Sequence, residues 1–288
     1  ACWSDSLQSV RVMETVLEDV GAGRPIDVLV ELGAVGGRTG ARDLATARAV
    51  AREIVASPHL RLVGVGGYEG ALAHDRSPEA LAAMKTYLDA LVSLHEELAA
   101  AGSYGDVVPI ITAGGSAFFD LVALAFSAVS GPTVKLLRSG AYQAHDDGFY
   151  RGISPFVQRE TDRPFRAAIH AWVRVLSRPE PGLAIFDGGR RDLPYDDGLP
   201  RAQLVAGATD AESRRLLDGS TVIALNDQHG FLRLADAVAD PAVLPVGSVL
   251  RLGLSHPCSA FDKWRLIPMT EDSDGLASRV VDFAETWF

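Results

Sequence analysis

The stretch with the clearest chemical potential is His256-Pro257-Cys258, which places an imidazole and a thiol two positions apart. Residues 251–254 before it alternate and are apolar enough to predict a β-strand. If that strand continues, His256 and Cys258 lie on one face, because side chains alternate with period two. Imidazole and thiolate are good ligands for a borderline-soft ion such as zinc. A bare His-x-Cys pattern more often marks a partly buried histidine beside an inert cysteine, so the rest of the chain must decide.

Two glycine-rich stretches follow predicted strands and could bind anions. Gly114-Gly115-Ser116 lies between a strand and a helix, where backbone N–H groups and the serine hydroxyl could hold a phosphate. The second stretch is Gly36-Gly37-Arg38-Thr39-Gly40, which follows an earlier strand, and its Arg38 could hold a carboxylate or phenolate oxygen. Each stretch also has an ordinary interpretation. The glycines could form a tight turn with an N-cap, and Arg38 could be a solvated surface side chain.

Two tyrosines follow further strand ends. Tyr68 and Tyr142 could stack on a planar ligand or hydrogen-bond to it, and each could equally be a half-buried loop residue. Arg38, Tyr68, Ser116 and Tyr142 all follow successive strands, and the carboxyl ends of strands in a parallel barrel share one rim where active sites form. His229 either closes a hairpin turn or approaches this rim, and the sequence leaves both open.

The elements that must position these residues alternate between strand and helix at a spacing near 30 to 40 residues. Strands are predicted over about 26–31, 60–65, 107–111 and 133–137, with helices between them. This order predicts parallel strands with right-handed crossovers, as in a Rossmann sheet or a (β/α)₈ barrel. After about Asp147, short β-rich runs separated by turns predict a mostly antiparallel β domain, closed by a helix over about 275–288. The predicted domains are therefore 1–147 and 148–288.

Composition narrows the class of protein. Of 288 residues, 48% are hydrophobic and 22% charged, as in an ordinary soluble globular protein. A net charge of −10 without a Lys/Arg block argues against nucleic acid or an anionic membrane as partners. No apolar run is long enough for a membrane span. Two cysteines make no disulfide framework, which suits a reducing cytoplasm.

The motifs together resemble the fold-type III pyridoxal-phosphate enzymes, specifically the D-serine dehydratase / D-threonine aldolase group related to alanine racemase. The matching segments span nearly the whole chain: VLVELGAVGGRTG (28–40), GVGGYEG (64–70), ITAGGS (111–116), LLRSGAY (136–142), IFDGGRRDLPYDDGLP (185–200), LNDQHG (225–230) and LSHPCSAFDKWRLIP (254–268). The His-Pro-Cys form is similar to the dehydratase side of the group, since the aldolases more often carry Asp in place of the Cys.

This resemblance implies the cofactor pyridoxal 5'-phosphate (PLP), a divalent metal that we expect to be zinc, and a homodimer. Under it, His256 and Cys258 ligate the metal, which activates the β-hydroxyl of a small D-amino acid. The expected cofactor-binding residues are Arg38, Tyr68, Gly114, Gly115, Ser116 and Tyr142. The first two are also the expected catalytic residues, and the glycines with Ser116 would hold the cofactor phosphate.

The resemblance implies a lyase that dehydrates D-serine or D-threonine to a 2-oxo acid and ammonia. The alternatives are retro-aldol cleavage of D-threonine to glycine and acetaldehyde, and a non-catalytic PLP-binding protein of the same fold. The Schiff-base lysine of the group lies on the first barrel strand, and none of Lys85, Lys135 and Lys263 fits that place. We therefore expect a fragment of a longer enzyme, with a partial (β/α)₈ barrel, that associates through open sheet edges and has no turnover alone.

Overall fold

A computed structural model describes residues 1–158, 164–236, 240, 242–273 and 278–287. The chain divides into two compact units, Ala1–Gly140 and Ala141–Phe288. Within the described ranges, every helix is too short or too polar to cross a lipid bilayer.

The first unit is a five-stranded parallel sheet with helices between its strands. Its strands are β1 (Cys2–Ser4), β2 (Ile26–Leu32), β3 (Leu60–Gly67), β4 (Ile110–Ala113) and β5 (Val134–Leu137). Its helices are α1 (Leu7–Asp19), α2 (Leu44–Ala56), α3 (Pro78–Ala100) and α4 (Phe119–Ser127). The spatial order of the strands equals their chain order, and each neighbouring pair is parallel. The predicted α/β class with successive parallel strands is therefore confirmed.

Local sequence explains where the helices of this unit begin. Ser6 caps α1 by accepting the N–H of Ser9, and Asp43 caps α2 in the same way. Ser77 caps α3, whose first residue is Pro78, the position where a missing N–H has no cost. Helix α2 packs on β2 and β3, and α3 packs on β3, so that apolar side chains of helices and strands together form the buried core of this unit.

The second unit is built around an antiparallel sheet. Its strands are β6 (His170–Glu180), β7 (Leu183–Phe186), β8 (Arg201–Val205), β9 (Thr221–Leu225), β10 (Gly230–Arg233) and β11 (Val249–Gly253), in the spatial order β8-β11-β6-β7-β10-β9. A separate hairpin joins β12 (Leu266–Thr270) to β13 (Val280–Glu285). The helices are α5 (Phe149–Ile153), α6 (Pro155–Gln158), α7 (Asp210–Leu217) and α8 (Pro257–Phe261). The predicted antiparallel β region is therefore confirmed.

The predicted final helix over about 275–288 is wrong. Within it, residues 275–277 and 288 lie outside the described residues, and Val280–Glu285 forms a strand paired with Leu266–Thr270. Two adjacent valines and a phenylalanine favour an extended backbone, and the antiparallel partner supplies the hydrogen bonds that a helix would have supplied internally.

Candidate functional site

The loops at the carboxyl ends of the parallel strands in the first unit lie at one edge of the sheet, as predicted. The carboxylate of Asp5, just after β1, accepts the N–H of Gly40 at 3.0 Å. The loop after β2 closes on itself, because Ala41 donates to Glu31 and accepts from Gly33. A Cβ on Gly33 would lie 2.5 Å from the carbonyl oxygen of Thr39, so only glycine allows this closure. The loop that carries Arg38 is thus held at the edge of the sheet.

Arg38 and Tyr68 lie together at this edge, as their positions after neighbouring strands predicted. The guanidinium carbon of Arg38 lies 4.1 Å from the centroid of the Tyr68 ring, a cation–π contact. Arg38 is exposed and Tyr68 half-buried. A planar or anionic ligand at this edge would therefore meet a paired cation and phenol.

The backbone N–H groups of the Gly114–Gly115 turn bind a side-chain carboxylate of the protein itself, that of Glu69. Both carboxylate oxygens of Glu69, which has no exposed surface, accept backbone N–H groups, from Gly114 at 3.0 Å and from Gly115 at 2.5 Å. Burial raises the pKa of Glu69 above its ordinary value, and the two backbone hydrogen bonds and the positive charge of Arg138 oppose that rise. The two amides predicted to hold a cofactor phosphate are thus already engaged.

Close packing explains why this turn needs glycine. Gly114 has a φ of +141°, and a Cβ there would lie 2.7 Å from the backbone nitrogen of Arg138. A Cβ on Gly115 would lie 3.1 Å from the Tyr68 ring. Ser116 follows, half-buried, at the beginning of the segment that leads into α4. The turn therefore brings the Ser116 side chain and the Tyr68 ring to the same edge of the sheet.

Arg138 ties three strand ends of the first unit together. Its Nε donates to the hydroxyl of Thr112 at 3.0 Å, a terminal nitrogen donates to the carbonyl of Gly67, and its guanidinium lies over the ring of Trp3. The positive charge that these contacts fix lowers the pKa of the buried Glu69 carboxylate, against the effect of burial.

In the second unit, the backbone at His256 differs from the predicted strand. β11 ends at Gly253, and His256 has the left-handed conformation φ 58°, ψ 81° as the N-cap of α8. Cys258 lies inside that helix and is exposed. The prediction that the two residues share one face of a continuing strand is therefore wrong. Pro257 is the first residue of a helix instead, a position that proline favours.

A buried carboxylate holds this unusual backbone. Asp146, 1% exposed, accepts the N–H of His256 at 3.1 Å with one oxygen. Its other oxygen accepts the N–H groups of Gly148 at 3.2 Å and Arg151 at 3.0 Å. The hydroxyl of Ser255 also donates to the carbonyl of Asp197 at 2.5 Å. The segment that carries His256 is therefore anchored on both sides.

Two acidic side chains converge on the imidazole of His256. Nδ1 is hydrogen-bonded to an oxygen of Asp196 and lies 3.2 Å from an oxygen of Asp197. The hydroxyl of Ser259 donates to the same Asp196 oxygen at 2.8 Å and lies 2.9 Å from Nδ1. Among the residues that the structure describes, Asp196, Asp197 and His256 form the group whose donor atoms lie within 4.8 Å of one another.

This donor set fits a divalent cation. Burial acts to raise the pKa of Asp196, but hydrogen bonds from Ser259 and His256 outweigh it and leave the pKa below its ordinary value. Burial raises the pKa of the Cys258 thiol, and the charges of Asp196 and Asp197 raise it further. The imidazole and the nearby thiol supply the N and S donors that zinc accepts, and the two carboxylates beside the ring add negative charge. Cys258 itself lies outside the group of three.

The remaining predicted residues are placed as follows. Tyr142 lies in the 3₁₀ turn Gly140–Gln143 and is 55% exposed. His229 is exposed in the turn between β9 and β10, where its carbonyl accepts the N–H of Asn226, so the hairpin interpretation holds. Lys85, Lys135 and Lys263 bond to Asp89, to the carbonyl of Val129 and to the carbonyl of Arg190 respectively.

The sequence predictions missed Glu69, Arg138, Asp146, Asp196 and Asp197. The first two and the last two lie inside sequence segments that carry the resemblance to the pyridoxal-phosphate enzymes (64–70, 136–142 and 185–200), so these segments could have indicated them. Asp146 lies outside those segments, and nothing local distinguishes it from its neighbour Asp147. Its partner His256 is 110 positions away along the chain.

Comparison with known proteins gives one family match and two curated relatives. The family model described as "Putative serine dehydratase domain" matches residues 168–270. The chain is 30% identical to a D-threonine aldolase of Arthrobacter sp. over 84% of this chain and 57% of that protein. It is 26% identical to a 3-hydroxy-D-aspartate aldolase of Paracoccus denitrificans over 88% of this chain and 58% of that protein. The chain thus spans less than three fifths of the length of these relatives.

Solved structures share the fold. D-threo-3-hydroxyaspartate dehydratase from Delftia sp. HT23 superposes with a TM-score of 0.72 at 22% identity, over 99% of this chain and 72% of that one. An alanine racemase-like protein from Idiomarina loihiensis has a TM-score of 0.66 at 17% identity, over 92% of this chain and 66% of that one. At these identities the likeness concerns the fold.

Two further similar structures are variants of a D-threo-3-hydroxyaspartate dehydratase. One replaces a cysteine by alanine and is in the metal-free form, and the other replaces a histidine by alanine. Together these comparisons confirm the resemblance that the motifs indicated.

Proposed function

Because this chain resembles the D-serine dehydratase / D-threonine aldolase group of fold-type III pyridoxal-phosphate enzymes, we propose that it is part of a PLP- and metal-dependent lyase acting on D-β-hydroxy amino acids. The observation that carries the proposal is the surroundings of His256. The Nδ1 of this imidazole is held by Asp196, so its other ring nitrogen and the thiol two residues on are left as donors for a divalent cation.

His256 and Cys258 would hold the metal, which we propose to be zinc. A metal bound there would supply Lewis-acid assistance to the departure of the substrate β-hydroxyl. The protein's own part is to fix the imidazole. Asp146 holds its backbone N–H, and Asp196 and Ser259 hold its ring.

PLP would bind at the strand ends of the first unit and would supply an electron sink. Arg38 and Tyr68 would contact its ring or the substrate carboxylate, because they lie together and face the edge of the sheet. Gly114 and Gly115 donate their N–H groups to Glu69, so the phosphate would take the Ser116 hydroxyl and the amides that follow it. Tyr142 stays a proposed contact on the strength of the motif alone.

The proposal does not assign the Schiff-base lysine to Lys85, Lys135 or Lys263. The ammonium of Lys85 pairs with Asp89 on the exposed side of α3, and that of Lys135 bonds to a carbonyl before the start of β5. Lys263 lies over the ring of Tyr195 in the second unit. Each of the three therefore has a structural partner within its own unit.

We favour dehydration to a 2-oxo acid and ammonia over retro-aldol cleavage, because Cys258 stands where the aldolases of the group more often carry an aspartate. A homodimer remains part of the proposal, as the resemblance implies. The third candidate is a non-catalytic PLP-binding protein of the same fold.

Metal binding and product analysis test the proposal. Equilibrium dialysis of the chain against Zn²⁺ should give one bound ion, which His256→Ala should lose and the exposed control His229→Ala should keep. The natural protein should then be incubated with PLP, Zn²⁺ and D-serine, D-threonine or D-threo-3-hydroxyaspartate, and its products analysed. Ammonia with an oxo acid supports a dehydratase, and glycine with an aldehyde supports an aldolase. Bound PLP and Zn²⁺ without products favours the non-catalytic protein, and binding of neither overturns the proposal.

A further inference from the structure

The two ring nitrogens of His256 have different surroundings, and the difference decides which one can bind a metal. Nδ1 faces the carboxylates of Asp196 and Asp197 and the hydroxyl of Ser259. An ionised carboxylate can only accept hydrogen bonds, and the same Asp196 oxygen accepts one from the Ser259 hydroxyl at 2.8 Å. Nδ1 must therefore be the donor and carry the proton. In the neutral imidazole, Nε2 then holds the lone pair that a metal needs.

Asp196 is better placed than Asp197 to set this tautomer. Its oxygen makes the direct bond to Nδ1, while the Asp197 oxygen lies 3.2 Å away. The Ser259 hydroxyl donates to that same Asp196 oxygen at 2.8 Å, which fixes the carboxylate against the ring. Ser259 belongs to α8, the helix that His256 caps, so the ring, the hydroxyl and the carboxylate form one closed triangle.

We propose that Asp196 is a positioning residue for the metal site: it accepts the Nδ1–H of His256, fixes the tautomer and turns Nε2 toward the metal. The inference rests on the proposed function for the presence of a metal and goes beyond it in naming the residue that orients the ligand. Metal-bound histidines commonly donate their second N–H to a carboxylate, and loss of that partner typically lowers metal affinity about 10- to 100-fold.

The tautomer can be measured without any metal. Long-range ¹H–¹⁵N correlation spectra of the ¹⁵N-histidine chain, at a pH where the imidazole is neutral, separate a protonated Nδ1 from a protonated Nε2. The His256 signals among the seven histidines are those that His256→Gln removes. In the wild-type chain Nδ1 should carry the proton. Asp196→Ala should shift the proton toward Nε2, and the matched control Asp197→Ala should leave it on Nδ1.

Metal affinity supplies the second measurement. Asp196→Ala should lower the affinity for Zn²⁺ about 10- to 100-fold. Asp197→Ala should lower it less than about fivefold, the usual size of an exposed charge's contribution. A proton already on Nε2 in the wild-type chain overturns the inference. Equal losses of affinity in the two variants also overturn it, because the carboxylates would then act as ligands or as bulk charge.

Failure of this inference and failure of the proposed function give different results. If the wild-type chain binds no Zn²⁺, the metal is no longer part of the proposed function. The NMR experiment still decides whether Asp196 sets the tautomer of His256. Conversely, tight Zn²⁺ binding with a tautomer that ignores Asp196 keeps the proposed function and removes the positioning role. Circular dichroism of both alanine variants checks that the fold is retained.

Discussion

Replacing Asp146 by asparagine should destabilise the segment that carries His256. The carboxylate accepts three backbone N–H groups, two on one oxygen and one on the other, and it is 1% exposed. An amide of the same shape has a single acceptor oxygen, so its NH₂ group must oppose at least one of these donors. The arrangement that loses least keeps Gly148 and Arg151 paired and sets the NH₂ against the N–H of His256.

The magnitude follows from counting hydrogen bonds. Losing one bond to a charged group costs about 1.5 to 3 kcal/mol, and two remaining bonds weaken because the acceptor is neutral. We therefore expect Asp146→Asn to lower the free energy of unfolding by about 2 to 4 kcal/mol. His256 in the left-handed region costs about 1 to 2 kcal/mol, so without its anchor the residue should relax toward an extended backbone.

Urea denaturation and amide hydrogen exchange test this prediction together. The exchange of the His256 amide should accelerate in Asp146→Asn, and peptides covering 254–258 should lose protection before the sheet strands do. The control Asp262→Asn changes an exposed carboxylate after α8 and should stay within about 0.5 kcal/mol of the wild type. A variant with unchanged stability and an unchanged His256 amide would refute the argument that Asp146 holds this backbone.

Three further predictions concern pH, packing and metal. Burial lowers the pKa of His95 below its ordinary value of 6.5, so folding favours the neutral imidazole. The free energy of unfolding should therefore be unaffected by this group above pH 6.5. It should fall as the pH drops below 6.5, by at most about 1.4 kcal/mol per pH unit. His95→Gln should reduce this dependence in a pH series of urea titrations, leaving the part that the similarly buried His145 contributes, and the exposed control His229→Gln should keep all of it. Gly114→Ala should lower the free energy of unfolding, measured by urea denaturation, by about 1 to 3 kcal/mol, because the φ of Gly114 is positive and an added Cβ would contact backbone. The control Gly23→Ala, with open space around it, should change this free energy by less than about 0.5 kcal/mol. Equal effects of the two substitutions would contradict the packing argument. Zn²⁺ at 100 times its dissociation constant should raise the free energy of unfolding by about 2.7 kcal/mol, and this gain should vanish with EDTA or in His256→Ala but not in His229→Ala.

Much of the architecture was readable from the sequence because the signals are local. Continuous apolar runs such as residues 26–31 predict buried parallel strands, and Ser77-Pro78 predicts the beginning of α3. The strand-to-helix alternation then requires the loops with Arg38 and Tyr68 to lie at one edge, and the structure places them in contact.

The sequence by itself determined which residue types stand at which strand ends, and the presence of an imidazole two positions before a thiol. Only the tertiary structure decided what those groups touch. Glu69 takes the amides of a turn 45 residues away, and Asp196 reaches His256 across 60 residues. Such partners leave no local periodicity, since the folding of the whole unit brings them together. The left-handed backbone of His256 has the same cause: local preference before a proline favours an extended strand, and the buried carboxylate of Asp146 overrides it.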